Sequence, residues 1–179
     1  MMKMFKDDFN IYHEQPEVAY LDHAATSQTP DVVVNEMENY YHSFRANVHR
    51  GVYRWSAEAS DRYETARSYI AQFINASPDE LVFTSGATAS INLVASSYFR
   101  KRLRKDQVIL VSALEHHANL VPWQQVAKEA GCHIKVIPYL DDYNIDWDQL
   151  NSLLSEDIAL VAITHSSNVL FKILCSFTR

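Results

Sequence analysis

The chain has 179 residues, 47% of them apolar and 21% charged, a balance that suits a globular protein and argues against a disordered or low-complexity one. A net charge of −6, with its densest basic cluster confined to Arg100 to Lys105, points away from nucleic acid and from anionic membrane surfaces. A chain of this size buries roughly 70% of the surface its unfolded form exposes, enough for an ordinary domain without disulfides or metal.

The start, Met1 to Asp8, turns acidic before any apolar core appears, unlike a secretory signal or an Arg-rich transit peptide, so the cytoplasm is the expected location. Apolar runs such as Ile158 to Ile163 fall far short of the roughly 20 residues a membrane helix needs, so no span is expected. Thr29 precedes Pro30 at a first helical position, and Val33, Val34, Met37, Tyr40, Tyr41 and Phe44 recur at helical spacing behind it. After the loop Asn47-Val48-His49-Arg50-Gly51, Ser56 serves as an N-cap for a second helix. Its stripe is Ala59, Tyr63, Ala66, Ile70, Phe73 and Ile74, with Ser77-Pro78 beyond its end.

From Glu80 onward short apolar runs alternate with helical stretches, the signature of an α/β fold with a mainly parallel sheet and crossover helices. Leu81-Val82-Phe83 reads as a strand, Ala87 to about Leu103 as a helix, and Val108 to Val111 as the next strand. A helix from near Asn119, with Pro122 early and Gly131 as its stop, leads to a strand over Ile134 to Ile137. Asp146 and Gln149 form a capping box for a short helix ending near Leu154, before the strand Ala159 to Ile163. Only 3 glycines occur, so Gly51, Gly86 and Gly131 each mark a backbone position with special demands. Cys132 and Cys175 cannot make a disulfide framework, and their spacing with histidine fits no zinc pattern, so a reducing compartment is expected and no metal.

Ligands of such sheets collect outside the carboxyl ends of the strands, which selects the loops Thr84 to Thr88, Ser112 to Asn119 and Thr164 to Asn168. In the first, Gly86 permits a tight turn that exposes the amides of Ala87 and Thr88 at a helix N-terminus, where an anion is stabilised; the Thr88 hydroxyl adds a donor. Taken alone, that segment occurs in many folds that bind nothing. In the second, the His116 imidazole has the shape to lie over an aromatic cofactor ring and the chemistry to carry a proton, although a pair of solvated loop histidines reads the same way. Glu115, His116 and His117 are adjacent and converge poorly on one metal ion. In the third, the Asn168 amide is a donor for a phenolate oxygen, although loop asparagines most often cap turns.

Four ordered stretches carry a resemblance. Tyr20-Leu21-Asp22-His23-Ala24-Ala25-Thr26, Asn47-Val48-His49-Arg50-Gly51, Glu115-His116-His117-Ala118-Asn119-Leu120-Val121-Pro122-Trp123-Gln124, and Ser167-Asn168-Val169-Leu170 resemble the SufS-like cysteine desulfurases of the class V aminotransferase family. The resemblance runs from Tyr20 to Leu170 and implies an incomplete large domain of a pyridoxal-phosphate fold type I enzyme. It implies that His116 stacks on pyridoxal 5'-phosphate, that Gly86, Ala87 and Thr88 hold its phosphate, and that Asn168 meets its phenolic oxygen. Ala24, Ala25, His49 and Arg50 would lie at the substrate pocket. Residues 1–75 would be a helical segment contributing to the small domain and pocket mouth, 76–170 a partial cofactor domain, and 171–179 a divergent tail. The implied reaction converts L-cysteine to L-alanine and leaves sulfur as a persulfide for a sulfur-acceptor protein and iron-sulfur cluster assembly, within a homodimer. Selenocysteine lyase and cysteine sulfinate desulfinase share these motifs, and a non-catalytic remnant that binds a full-length homologue is a third reading.

The chain departs from the pattern in three places: His23 where Asn is usual, Ser166 where an apolar residue is usual, and Phe171 onward where matching stops. The Schiff-base lysine, the pyridine-nitrogen Asp, the nucleophilic Cys and the carboxylate-binding Arg of the family have no counterpart before that point. Lys172, Cys132 and Cys175 match none of them. The expectation is therefore a truncated form that is inactive by itself and that associates through uncovered apolar surface.

Overall fold

The computed structural model describes residues 5–168, 170 and 172–173. It divides into two compact units, Met1–Val82 and Phe83–Arg179.

The first unit is helical. A 3-10 turn at Phe5–Asp8 precedes α1 (Asn10–Glu14), whose first amide donates to the Asp31 carboxylate at 2.7 Å. Helix α2 (Asp31–Asn39) runs directly into a π-helical turn, Tyr40–Phe44, so the helix expected behind Pro30 is present over its whole apolar stripe. It begins one residue later than expected: Pro30 is extended at ψ 147°, and its carbonyl accepts from the amides of Val33 and Val34. Proline suits that cap position, because it offers an acceptor where no amide hydrogen is needed.

Helix α3 (Arg54–Phe73) also differs at its start, since Tyr53 and not Ser56 is the cap. Ser56 lies inside the first turn with its hydroxyl committed elsewhere, as described below. Helix α3 packs on the Tyr40–Phe44 turn through the small side chain of Ala59, and the Arg62 guanidinium covers the Phe44 ring at 4.1 Å while pairing with Glu36 at 2.7 Å and Glu58 at 3.0 Å. These exposed pairs add little energy each; the covered aromatic face contributes more. A final 3-10 turn, Pro78–Glu80, is closed by a reciprocal box in which Glu80 accepts from the amide and hydroxyl of Ser77.

The second unit holds the sheet. Strands β1 (Val108–Ser112), β2 (His133–Ile137) and β3 (Ile158–Ala162) form a parallel sheet in the order β2-β1-β3. Val108 pairs with His133 on one side of β1 and with Ile158 on the other, and the β1–β3 register slips once between Val108 and Ile109. Helix α4 (Ala87–Val94) continues as a π-helical turn, Ala95–Phe99, and ends short of the expected Leu103. Helix α5 (Val121–Ala130), with Pro122 in its first turn and Gly131 at φ 71° beyond its end, connects β1 to β2; helix α6 (Trp147–Leu153) connects β2 to β3. Asp146 caps α6 by accepting from the Gln149 amide at 2.9 Å.

Every residue of β1 is buried, which explains its unbroken apolar run. Ile109 and Val111 point into one cluster with Ala95, Trp123, Val126 and Ala127, whereas Val108 and Leu110 point into another with Ile137, Ile145 and Leu150. The alternation follows the two-residue period of a strand, and it places α4 and α5 on one face of the sheet and α6 on the other. A short antiparallel pair, β4 (Ser166–Ser167) with β5 (Lys172–Ile173), follows β3.

The strand expected at Leu81-Val82-Phe83 does not form. The run belongs to no ladder among the described residues, Val82 is 66% exposed, and the carbonyl of Leu81 accepts from the Arg67 guanidinium. Three apolar residues supply strand propensity, but a strand also needs a neighbour for its backbone groups, and at Leu81 a side chain takes that place. Most of the expected divergent tail lies outside the described residues, as do Val169 and Cys175.

Candidate active site

The strand order β2-β1-β3 reverses direction at β1, with α5 leaving to one face and α6 to the other. The edge outside the carboxyl ends of β1 and β3 is therefore the position at which an open α/β sheet binds ligands. The second and third loops selected from the sequence both border it. Helix α4 packs against the 3-10 turn His117–Asn119, which brings the first loop beside the second.

Gly86, the cap of α4, has φ 148° and ψ 174°, a conformation essentially confined to glycine. A Cβ built there meets no atom within 4 Å, so the requirement is one of backbone conformation and not of room. Thr84 holds this turn: its hydroxyl donates to the Gly86 carbonyl at 3.1 Å, accepts from the Gly86 amide at 3.3 Å and lies 2.7 Å from the Ser90 hydroxyl. The Ser90 amide closes the first helical turn onto the Gly86 carbonyl at 3.0 Å. Ala87 and Thr88 are exposed in that first turn, where amides have no carbonyl four residues earlier in the helix to bond.

Strand β1 delivers the chain to Ser112 and then to Glu115, His116 and the 3-10 turn. His116 caps that turn, its Nδ1 accepting from the Ala118 amide at 3.1 Å. The proton of the neutral ring is thereby assigned to Nε2, on the side of the exposed imidazole away from its anchor. Glu115 forms the most connected group at this edge. Its Oε1 accepts from the Ser112 hydroxyl at 2.5 Å and from the Thr164 amide at 2.5 Å, and its Oε2 accepts from Asn119 Nδ2 at 2.8 Å. Asn119 in turn accepts from the buried Trp123 indole at 2.9 Å. Thr164 opens the loop after β3, and Asn168 follows β4 as an exposed turn residue.

In the first unit, the turn carrying Ala24 and Ala25 wraps around one hydroxyl: Tyr20 donates to the carbonyls of Asp22 at 3.2 Å and Thr26 at 2.8 Å, and its ring meets the edge of His23 at 4.9 Å between centroids. Both alanines are exposed. The loop 47–51 is fastened to α3 by two serines one helical turn apart. Ser56, fully buried, accepts from the Gly51 amide at 2.9 Å and donates to the Asn47 carbonyl at 2.7 Å; Ser60 accepts from the His49 amide at 2.8 Å. His49 is held at φ 68° with its Nε2 3.1 Å from Glu64, and Arg50 is exposed beside it. Gly51 is required by proximity, since a Cβ there lies 2.5 Å from Ser56.

Sequence reasoning found the three loops but missed the contacts that Glu115, Ser56 and Ser60 make. Ser56 and Ser60 carried a signal in their four-residue spacing on one face of α3; Glu115 carried none, because its partner Thr164 lies 49 residues away. Cys132 is free and packs against the core, where burial pushes its thiol up from the ordinary value, so little thiolate forms at neutral pH. Among the described residues no group of three or more histidine, cysteine or acidic side chains is placed to hold a metal. No helix of the described residues is long and apolar enough to cross a membrane.

The groups at this edge of the sheet fit pyridoxal phosphate in part. First-turn amides and a hydroxyl at α4 suit its phosphate, the exposed His116 ring suits its pyridine face, and the Asn168 amide suits its phenolic oxygen. None of the three loops carries a lysine.

A probable cysteine desulfurase of Staphylococcus aureus is 46% identical over 167 residues, which are 91% of this chain and 40% of that protein. The apo structure of a cysteine desulfurase from Thermococcus onnurineus superposes with a TM-score of 0.85 at 37% identity, covering 94% of this chain and 42% of that one. An Escherichia coli cysteine desulfurase carrying an S-sulfonic acid gives 0.81 at 37% identity, with the same coverage. The chain thus spans about 40% of the length of the curated relatives it matches. The α/β fold is that of the pyridoxal-phosphate fold type I enzymes, as the resemblance implied. Residues 19–173 match the class-V aminotransferases, and on that match, together with these relatives, the chain belongs to the aminotransferase class-V family.

Proposed function

We propose that this chain forms the amino-terminal part of the cofactor site of a SufS-like cysteine desulfurase, an enzyme that releases L-alanine from L-cysteine and passes the sulfur, as a persulfide, to an acceptor protein for iron-sulfur cluster assembly. One observation supports the reading: helix α4 packs on the His116 turn, and that turn is bonded through Glu115 to the loop after β3 at the strand-order reversal, the position at which such sheets bind ligands. Pyridoxal phosphate, when bound, supplies an aldehyde for the substrate amine and a ring that withdraws electrons from the substrate Cα.

The chain's own part is to bind and orient. Gly86, Ala87 and Thr88 hold the phosphate at the positive end of α4. His116 covers the ring and, with Nδ1 committed to the Ala118 amide, uses Nε2 to receive or release a proton at the substrate. Asn168 donates to the phenolic oxygen. The resemblance alone assigns Ala24, Ala25, His49 and Arg50 to the substrate; the last two lie on a loop fastened by Ser56 and Ser60. The nucleophilic amine, the sulfur-accepting thiol and the group opposite the ring nitrogen have no counterpart among the matched motifs, so the 179-residue polypeptide by itself is catalytically silent. The family homodimer, the cytoplasm and an acceptor protein complete the proposal.

The test is a graft. Residues 19–168 replace the matching segment of the Staphylococcus aureus relative, and the chimera is assayed for sulfide from cysteine, selenide from selenocysteine and sulfite from cysteine sulfinate. Cysteine-dependent sulfide with equimolar alanine is the expected result; a folded chimera that takes up no pyridoxal phosphate overturns the reading. Borohydride reduction of the isolated chain with pyridoxal phosphate is expected to leave no stoichiometric lysine adduct, and finding one overturns the claim of silence.

A further inference from the structure

We infer that Glu115 is a positioning residue: its carboxylate clasps the loop after β1 to the loop after β3 and so sets the spacing between the groups proposed for the cofactor ring and for its phenolic oxygen. This rests on the cofactor-site reading above and adds to it the device that holds the two loops in place. Glu115 bridges the two loops at the strand-order reversal, where the β1–β3 ladder has ended and, among the described residues, no backbone pairing joins the chain leaving β1 to the chain leaving β3. The bonds to the Ser112 hydroxyl and the Thr164 amide, both at 2.5 Å on the same oxygen, supply that join.

The other oxygen sets a direction. Glu115 Oε2 accepts from Asn119 Nδ2, which forces the Asn119 carbonyl oxygen toward the Trp123 indole, the donor it accepts at 2.9 Å. Only an acceptor-only group at 115 satisfies all four donors, from Ser112, Thr164, Asn119 and Trp123. A glutamine at 115 presents an NH2 either to Asn119 or to Thr164. If Asn119 then rotates to meet it, the indole of Trp123 faces an NH2 in its turn. One donor always goes unmatched. A glutamine at 115 combined with an aspartate at 119 repairs the set, because the Gln NH2 donates to one Asp oxygen and the other accepts from Trp123. Net charge is unchanged in that exchange. His116, next in the chain, inherits the placement that Ser112, Glu115 and Asn119 give to the turn it caps.

The experiment places Glu115→Gln, Asn119→Asp and the double substitution in the 179-residue chain, reading hydrogen exchange at the Thr164 amide and the Trp123 indole, and in the chimera described above, reading the affinity for pyridoxal phosphate by its absorbance. The Ile109 amide, deep in β1, reports global opening and separates it from local loosening. Glu115→Gln is expected to speed exchange at Thr164 or Trp123 by about 5- to 150-fold over any change at Ile109, the range set by one unmatched donor, and to weaken the cofactor. The double variant is expected to recover both. Unchanged exchange at both sites in Glu115→Gln, or a double variant no better than the sum of the single ones, overturns the inference. Exchange that follows the swap, beside a folded chimera that takes up no pyridoxal phosphate, upholds the clasp and sinks the cofactor-site reading, so the two fail separately.

Discussion

Replacing Gly86 by alanine isolates the cost of the backbone conformation at the proposed phosphate site. At φ 148° and ψ 174° an L-residue is strained, and residence in that region costs about 1–3 kcal/mol. No clash adds to this, because the new Cβ meets nothing within 4 Å. Alanine also stiffens the unfolded chain, a gain of about 0.4–1 kcal/mol that offsets part of the strain. The net loss is about 1–2 kcal/mol, or about 5- to 30-fold in the population of the native turn. If the turn relaxes instead of bearing the strain, the Gly86 carbonyl moves away from Thr84 and from the Ser90 amide, and the amides of Ala87 and Thr88 lose their aim. Urea denaturation measures the global part; exchange of the Ser90 amide measures the local part. The ratio of affinities for pyridoxal phosphate and pyridoxal measures the phosphate contact alone and should fall. A variant as stable as the parent, with Ser90 equally protected, would refute this account of Gly86.

Other perturbations test other joints of the structure. Ser56→Ala removes the hydroxyl that bonds Gly51 and Asn47, and is expected to cost about 1–2 kcal/mol and to expose the 47–51 loop to proteolysis; equal protease resistance would contradict it. Gly51→Ala places a methyl 2.5 Å from Ser56 and should loosen the same loop by steric means, seen as a lower denaturation midpoint. Bonds from the Ser77 amide and hydroxyl lower the Glu80 pKa below its usual 4.5, so the folded state binds that proton less tightly than the unfolded one. Its contribution is full above pH 4.5 and is lost as pH falls through the depressed value; Glu80→Gln should flatten that part of an acid titration of stability. Helix α2 buries no residue and leaves Val32, Val33, Val34 and Met37 exposed, with Tyr41 exposed in the turn behind it, so the isolated chain should associate as its concentration rises, and concentration-independent monomer sedimentation would contradict this.

Several features were legible because they are local. The run Val108 to Val111 announces a strand covered on both faces, Pro122 and Gly131 bracket α5 by their own dihedral preferences, and Asp146 reaches a backbone amide three residues on. The loops after β1 and β3 follow from the alternation of strands and helices, whereas the Gly86 loop has no strand before it among the described residues and joins them through the packing of α4 on the His117–Asn119 turn. Leu81 to Phe83 misled because propensity cannot show whether a neighbouring strand is present, and Ser56 misled because a serine before an apolar stripe suits both a cap and a fastening point inside the first turn.

The sequence by itself determined the elements, their alternation, the loops that gather at one end of the sheet, and the family they resemble, because helix and strand periods and caps act over a few residues. Only the tertiary structure decided that Glu115 joins Ser112 to Thr164, that Ser56 holds the 47–51 loop, and that Gly86 is needed for its dihedral angles while Gly51 is needed for space. Those facts depend on atoms brought together by folding across long stretches of chain, and no spacing rule along the sequence records them.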